Sequence, residues 1–282
     1  MRVVDTRVYA LLNISVVGQS TLTQGNMHGE LLEMRFVNPK LAIRTIEENR
    51  DSILGVKIRL TSNITGPNDL NALALAREAA DAVKLPLMVH IGGSYSPVPK
   101  IVEMLKKGDV ITHSFRGGDG GILDARDRVL PEVRAAIDRG VHLDIGHGAG
   151  GFSFRTAGVV FPQGILPGTI SSDVHQFNVN GPVFDLPTTL SKFLMLGMSL
   201  EDVIRRVTLN PSRIFAFPQG TGSLKPGSIA DIAVFDLREG SFDYVDSMGE
   251  HRTGNRRLLP VASIRAGIIY GNSAIPVVGS VV

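Results

Sequence analysis

Six short runs rich in Val, Ile and Leu lie between residues 7 and 175, and longer amphipathic stretches separate most of them. Short apolar runs read as buried strands, while apolar residues three and four apart read as helix faces. Strands alternating with helices build a parallel sheet, since each parallel pair needs a crossover connection. The spacing predicts strands at 7–15, 53–60, 86–92, 109–115, 141–147 and 168–175, and helices at 39–50, 67–84, 98–107, 126–139, 186–197 and 199–208. Pro67 suits a first helical turn and Gly140 a C-terminal cap. After Pro211 the texture changes: "GSLKPGSIADIAVFDL" and "RRLLPVASIRAGIIYG" read as short antiparallel strands joined by Gly/Pro turns. The expected division is an α/β part over 1–215 and a small all-β part over 216–282.

Composition narrows the chemistry. At 282 residues, 43% hydrophobic and 20% charged, the chain can bury a sizeable core. Its 29 basic residues are scattered and the net charge is +2, which gives no case for nucleic acid or an anionic membrane as partner. Cysteine is absent, so disulfides, zinc thiolates and a Cys nucleophile are excluded. No segment reaches the length of an apolar span and the first residues lack a leader pattern, so the expectation is a cytoplasmic protein.

The run "LGVKIRL" sets Lys57 inside an apolar strand. A lysine ammonium is seldom buried without a partner, so Lys57 is a snorkelling edge residue, an ion-pair partner or a lysine that does chemistry. His90, His113, His147 and Asp173 likewise fall at or near the C-terminal ends of predicted strands. In a parallel α/β barrel those ends open on one mouth. Taken singly, each histidine reads as a hydrogen-bonded structural residue, and Asp173 as a cap or turn residue. As a set they read as the means by which a chain without cysteine holds Zn²⁺ or a similar ion. Such an ion activates water near neutral pH, with Asp173 placed to shuttle the proton, and a desolvated Lys57 beside it is a neutral amine.

The series of a strand lysine ("GVKIRL"), a histidine ending the next strand ("MVHIG"), another ending the one after ("ITHSF") and "SSDVH" on the last barrel strand resembles the amidohydrolase superfamily. Within it, "GGILDARDRVLPEVRAAIDRGVHLDIGHGAGGFSF", "GPVFDLPTTLSKFLMLGM" and "GSLKPGSIADIAVFDL" are similar to deacetylase-type metallohydrolases, relatives of dihydroorotases and adenine deaminases. The resemblance implies a TIM-type barrel with a composite β-sandwich, a divalent metal centre that is usually zinc, and a small-molecule substrate, with a homo-oligomer left open. It implies that Lys57 is carboxylated by CO₂ to a carbamate that ligates metal, that His90 and His113 hold the more exposed ion, and that Asp173 is both ligand and proton shuttle. Gly148, Gly150, Phe152 and His147 fall in the loop that faces substrate, His175 lies two residues past Asp173, and Arg116, in the loop after His113, reads either as a contact for a substrate carboxylate or as an exposed loop arginine.

One departure matters. The family's deeper metal is held by a His-x-His pair on the first barrel strand, and none of the seven histidines here forms one. The strand at 7–15 matches the third barrel strand, so the expectation is an incomplete barrel of about six βα units, a single metal and impaired activity. The leading function is hydrolysis of a non-peptide C–N bond or acyl ester; the rival is a non-catalytic amidohydrolase-like fragment or paralogue with a structural or assembly role. A phosphosugar-binding barrel ranks third, since "GHGAGG" meets only half of that requirement. His28, His142 and His251 read as structural or surface residues, and Arg59, on the strand face of Lys57, as a structural residue in the first place, with pairing to a carboxylate or steadying of the site left open.

Overall fold

The computed structural model describes residues 6–20, 30–217 and 220–271, so His28 lies outside the described residues. The barrel part comprises β1 (Ala10–Asn13), α1 (Pro39–Glu48), β2 (Ile53–Arg59), α2 (Ser62–Thr65), α3 (Asp69–Val83), β3 (Leu87–His90), α4 (Val98–Glu103), β4 (Val110–Thr112), α5 (Pro131–Asp138) and β5 (His142–Leu143). It continues through α6 (Phe154–Val160), α7 (Leu186–Met195), α8 (Leu200–Val207) and α9 (Leu209–Ile214). Strands β6 (Ile232–Val245), β7 (His251–Arg265) and β8 (Ile268–Gly271) follow.

Alternation along "ILGVKIR" decides how β2 is used. Val56 and Ile58 are fully buried in the main core with Ile46 of α1 and Ala72, Ala76 and Ala80 of α3. Lys57 and Arg59 consequently face the other side of the sheet. All five strands are parallel and pair in sequence order, β1-β2-β3-β4-β5, with helices between them: an arc of a (β/α) barrel. Leu54, Val110 and Phe215, with Leu11 and Met88 against them, form a smaller apolar cluster. The alanine-rich face of α3 lets that helix lie close to the strands, and Lys84 at φ 56° ends it.

The sixth expected strand, 168–175, is reduced to one parallel bridge, Asp144 with Thr169. The amides of Ile145 and His147 still donate to Thr169 and Ser171. Gly146, at φ 50°, turns the partner segment out of the extended conformation, so a regular ladder cannot continue. The helix expected from 126 begins at Pro131, because Leu123 and Val129 close a turn by an antiparallel bridge.

The later strands are longer than the sequence suggests. β6 and β7 form a hairpin of 14- and 15-residue strands, and β8 completes a three-stranded antiparallel sheet among the described residues. Tyr244 and Leu258 of this hairpin belong to the same core as the barrel helices, and the Leu258 amide donates to Ser191 of α7 at 2.9 Å. No helix among the described residues is long and apolar enough to cross a membrane.

Candidate active site

Register places the reactive side chains. Asn13 of β1 pairs with Lys57, which pairs with Met88; one step on, Arg59 pairs with His90 and His90 with Thr112. Partners in register share a face, so Lys57, Arg59, His90 and Thr112 all point to the inside of the arc. Strict alternation would turn His113 to the opposite face. Its backbone is left-handed instead, φ 60°, and its ring stands edge-on to that of His90 with centroids 4.2 Å apart. Asp173 (φ 48°) and Glu30 (φ 63°) share this conformation. Three of the eight non-glycine residues with positive φ among the described residues thus gather at one site.

A cleft of about 550 Å³ is lined by Lys57, Arg59, Thr61, His90, His113 and Asp173, together with Arg116, Gly148, Gly150 and His175. His175 stacks edge-on against Phe177 at the mouth. Two residues of the loop expected to face substrate do not line the cleft. His147 and Phe152 are fully buried behind the loop, because the ring of His147 is engaged by Lys192 and Phe152 packs against Phe154 and Phe193. His142 is half-buried outside the cleft, and His251 pairs with Asp243 on the surface.

Lys57 has no hydrogen bond or ion pair among the described residues. Burial pulls its amine down to about 8, against the opposing charges of Asp144 and Asp173. Burial, and the cations around them, hold His90 well below the ordinary histidine value and His113 down to about 3, so both rings are neutral at pH 7. Burial also raises the carboxyls of Glu30 and Asp173, with nearby cations opposing.

Each imidazole is oriented by a neighbour. His90 Nε2 lies 3.0 Å from the Thr61 hydroxyl, and His113 Nδ1 donates to the Gly146 carbonyl at 2.5 Å. That leaves Nδ1 of His90 and Nε2 of His113 without hydrogen-bond partners among the described residues, the arrangement a pair of metal-binding imidazoles requires. No three His, Asp or Glu side chains among the described residues come together as a metal site. The two free imidazole nitrogens are donors that suit a divalent cation.

Sequence reasoning misses Glu30, Thr61 and Asp144. Glu30 reaches in from a loop, accepts from Asn13 and lies 3.4 Å from Arg59, a position no periodicity announces. Asp144 carries the signal Lys57 carries, a charge in the apolar run "VHLDIGH". It is buried and accepts the hydroxyls of Thr112, Thr169 and Ser171 at 2.7, 2.5 and 2.8 Å, joining three neighbouring segments under the site.

The amidohydrolase family profile matches residues 162–272. A deacetylase of Enterococcus faecalis is 34% identical over 273 residues, covering 95% of this chain and 71% of the relative. The chain belongs to the amidohydrolase family. A deacetylase of Agrobacterium fabrum is 33% identical, with 96% of this amidohydrolase and 66% of that relative covered. Among solved structures, an adenine deaminase superposes with TM-score 0.90 at 34% identity, covering 96% of this chain and 73% of that one. A dihydroorotase superposes with TM-score 0.86 at 32% identity, covering 96% and 71%. This amidohydrolase is accordingly a hydrolase of carbon–nitrogen bonds other than peptide bonds, built on an incomplete-looking TIM-type arc.

Proposed function

We propose that this amidohydrolase deacylates a small N-acyl or O-acyl compound, using a divalent cation, zinc in the first instance, held by His90, His113 and the carbamate of Lys57. The observation that carries the reading is Lys57 itself: a lysine amine with its pKa pulled down to about 8 and no hydrogen-bond partner lines the same cleft as two neutral histidines. A neutral Nζ adds to the carbon of CO₂, forming the N–C bond and releasing one proton, and the new carboxylate supplies the missing oxygen donors. A cation held there would polarise the acyl carbonyl and lower the pKa of water.

The remaining work falls to the chain's own residues. Asp173, at the mouth with its carboxyl raised by its surroundings, takes a proton from the attacking water and returns it to the leaving nitrogen or oxygen. Arg116, whose side chain packs over Gly92 and lines the cleft, holds a carboxylate on the leaving part of the substrate in this reading. The names of the homologous deacetylases favour acyl transfer to water over deamination or ring opening.

The test incubates the protein with zinc and bicarbonate, measures bound metal per chain, and assays N-acetyl and O-acetyl carboxylic acids beside adenine and dihydroorotate. One metal per chain with deacetylation supports the reading. Metal binding with turnover of adenine or dihydroorotate alone redirects it, and the absence of both metal binding and hydrolysis supports a non-catalytic barrel.

A further inference from the structure

Behind the inner wall of the cleft lies a polar network that the chemistry above does not use. Lys192 of α7 is fully buried, and its Nζ lies 2.8 Å from His147 Nε2 and 2.7 Å from the Pro182 carbonyl. Burying an amine is costly unless its hydrogen bonds are made, and the neighbours of Lys192 on α7, Leu190, Phe193 and Leu194, show what packing alone would place there. Burial pulls the amine down to about 7; it remains an N–H donor whether charged or neutral. His147, also fully buried and held down to about 4 by burial and by Lys192, is a neutral ring. With Nε2 accepting from Lys192, Nδ1–H donates to the Gly148 carbonyl at 3.0 Å.

The tip of the β6–β7 hairpin grips the same loop from the other side. The Ser247 hydroxyl lies 3.0 Å from the His147 carbonyl and 3.1 Å from that of Gly148, and the Ser247 amide donates to the Phe152 carbonyl at 3.1 Å. Buried Asp246 accepts from the Phe154 amide at 2.8 Å. What these contacts hold is the support of Asp173. The amides of His147 and Gly148 donate to the Ser171 and Ser172 carbonyls, each at 3.0 Å, and a methyl on Gly148 would stand 2.7 Å from Asp173 Oδ2.

We infer that Lys192, His147 and Ser247 form a clamp that sets the Asp173 carboxylate through the backbone of residues 147–148, which makes Lys192 and His147 positioning residues for hydrolysis. The inference rests on the hydrolytic reading of the cleft, and it assigns the β-hairpin a part in the active site. Misplacing a reacting group by about 1 Å costs on the order of 100-fold in rate, so the clamp acts on kcat rather than on substrate binding.

The experiment compares Lys192→Met with wild type by steady-state deacetylation and by amide hydrogen exchange at residues 146–148 and 171–173. The expected result is a fall in kcat of about 10- to 100-fold with KM changed less than about threefold, and exchange faster by about tenfold or more at both segments. His147→Leu is expected to match Lys192→Met, the double variant to add nothing to either, and His147→Gln, which keeps an acceptor for Lys192, to recover most of the rate. A folded Lys192→Met protein with wild-type kcat and wild-type exchange overturns the clamp. Should Lys192→Met fail to fold, Ser247→Ala and His147→Leu carry the test, and unchanged kcat and exchange in both overturn it. If wild type deacylates nothing, the hydrolytic reading falls, while the exchange comparison still decides whether the clamp exists.

Discussion

A lysine in a buried strand ordinarily demands a carboxylate, and Lys57 has none bonded to it. Its neighbours in register are Asn13 and Met88, and the nearest acids act only through space. Lys57→Met keeps the apolar stem and removes the desolvated amine, so the melting temperature is expected to hold or rise while metal binding and hydrolysis fall by about 100-fold or more. A calorimetric scan together with metal content checks both halves, and a variant that retains metal and rate removes Lys57 from the site. Thr61→Val leaves His90 in place but frees its Nε2, and loss of such an orienting partner typically costs about 10- to 100-fold in metal affinity. Competition against a chromogenic chelator measures it; an unchanged affinity shows that packing alone orients the ring. At this scale the sequence was readable where a charge or imidazole interrupts an apolar strand end, as at Lys57, His90 and His113. It was silent on Glu30, which loop conformation brings to the site, and misleading on His147, whose place at a strand end says nothing about which side of the loop its ring takes.

Among elements, the loop over 146–151 carries the most constraint. Gly146 and Gly148 both sit at φ 50°, and a methyl on Gly151 would collide with the Gly146 carbonyl and the His113 ring. Gly148→Ala forces a Cβ toward Asp173 from a backbone that disfavours it, so the expected outcome is a loss of about 1–2 kcal/mol by urea unfolding and at least a tenfold fall in kcat. If stability and rate both stay at wild-type values, Asp173 has room to move and the close approach has no catalytic weight. By sequence the glycines of "GHGAGG" fall in a loop facing substrate; only contact with His113 and Asp173 shows that they also let the wall approach those residues. The strand expected at 168–175 illustrates the same limit. Its composition fits a strand, but its pairing depends on a partner that Gly146 has turned away.

For the molecule as a whole, buried neutral histidines tie stability to pH. His147 falls from 6.5 to about 4 on folding, so between those values the unfolded chain binds a proton that the folded chain refuses. Stability therefore drops as pH is lowered through that window, by about 1.4 kcal/mol per pH unit for this one residue, and is restored above 6.5. His90 and His113 act in the same direction, whereas Glu30, with its carboxyl raised, opposes them. The difference between wild type and His147→Leu isolates the effect: urea midpoints measured from pH 4.5 to 6.5 should rise steeply with pH in wild type and less so in the variant. Parallel slopes mean that His147 is protonated in the folded state and the network around Lys192 is wired differently.

The sequence by itself determined the alternation of strands and helices, the phase that turns Lys57 and Arg59 away from the helices, and the placing of His90 and His113 at the ends of successive strands. These are local matters, because a period of two or of 3.6 residues is written in neighbouring side chains. Tertiary structure alone decided that His113 swings back beside His90, that Glu30 and Thr61 support the cleft, and that His147 turns inward to Lys192. Each of those depends on a left-handed backbone angle or on a partner distant in the chain, as with Lys192 and His147, and side-chain periodicity carries no information about either.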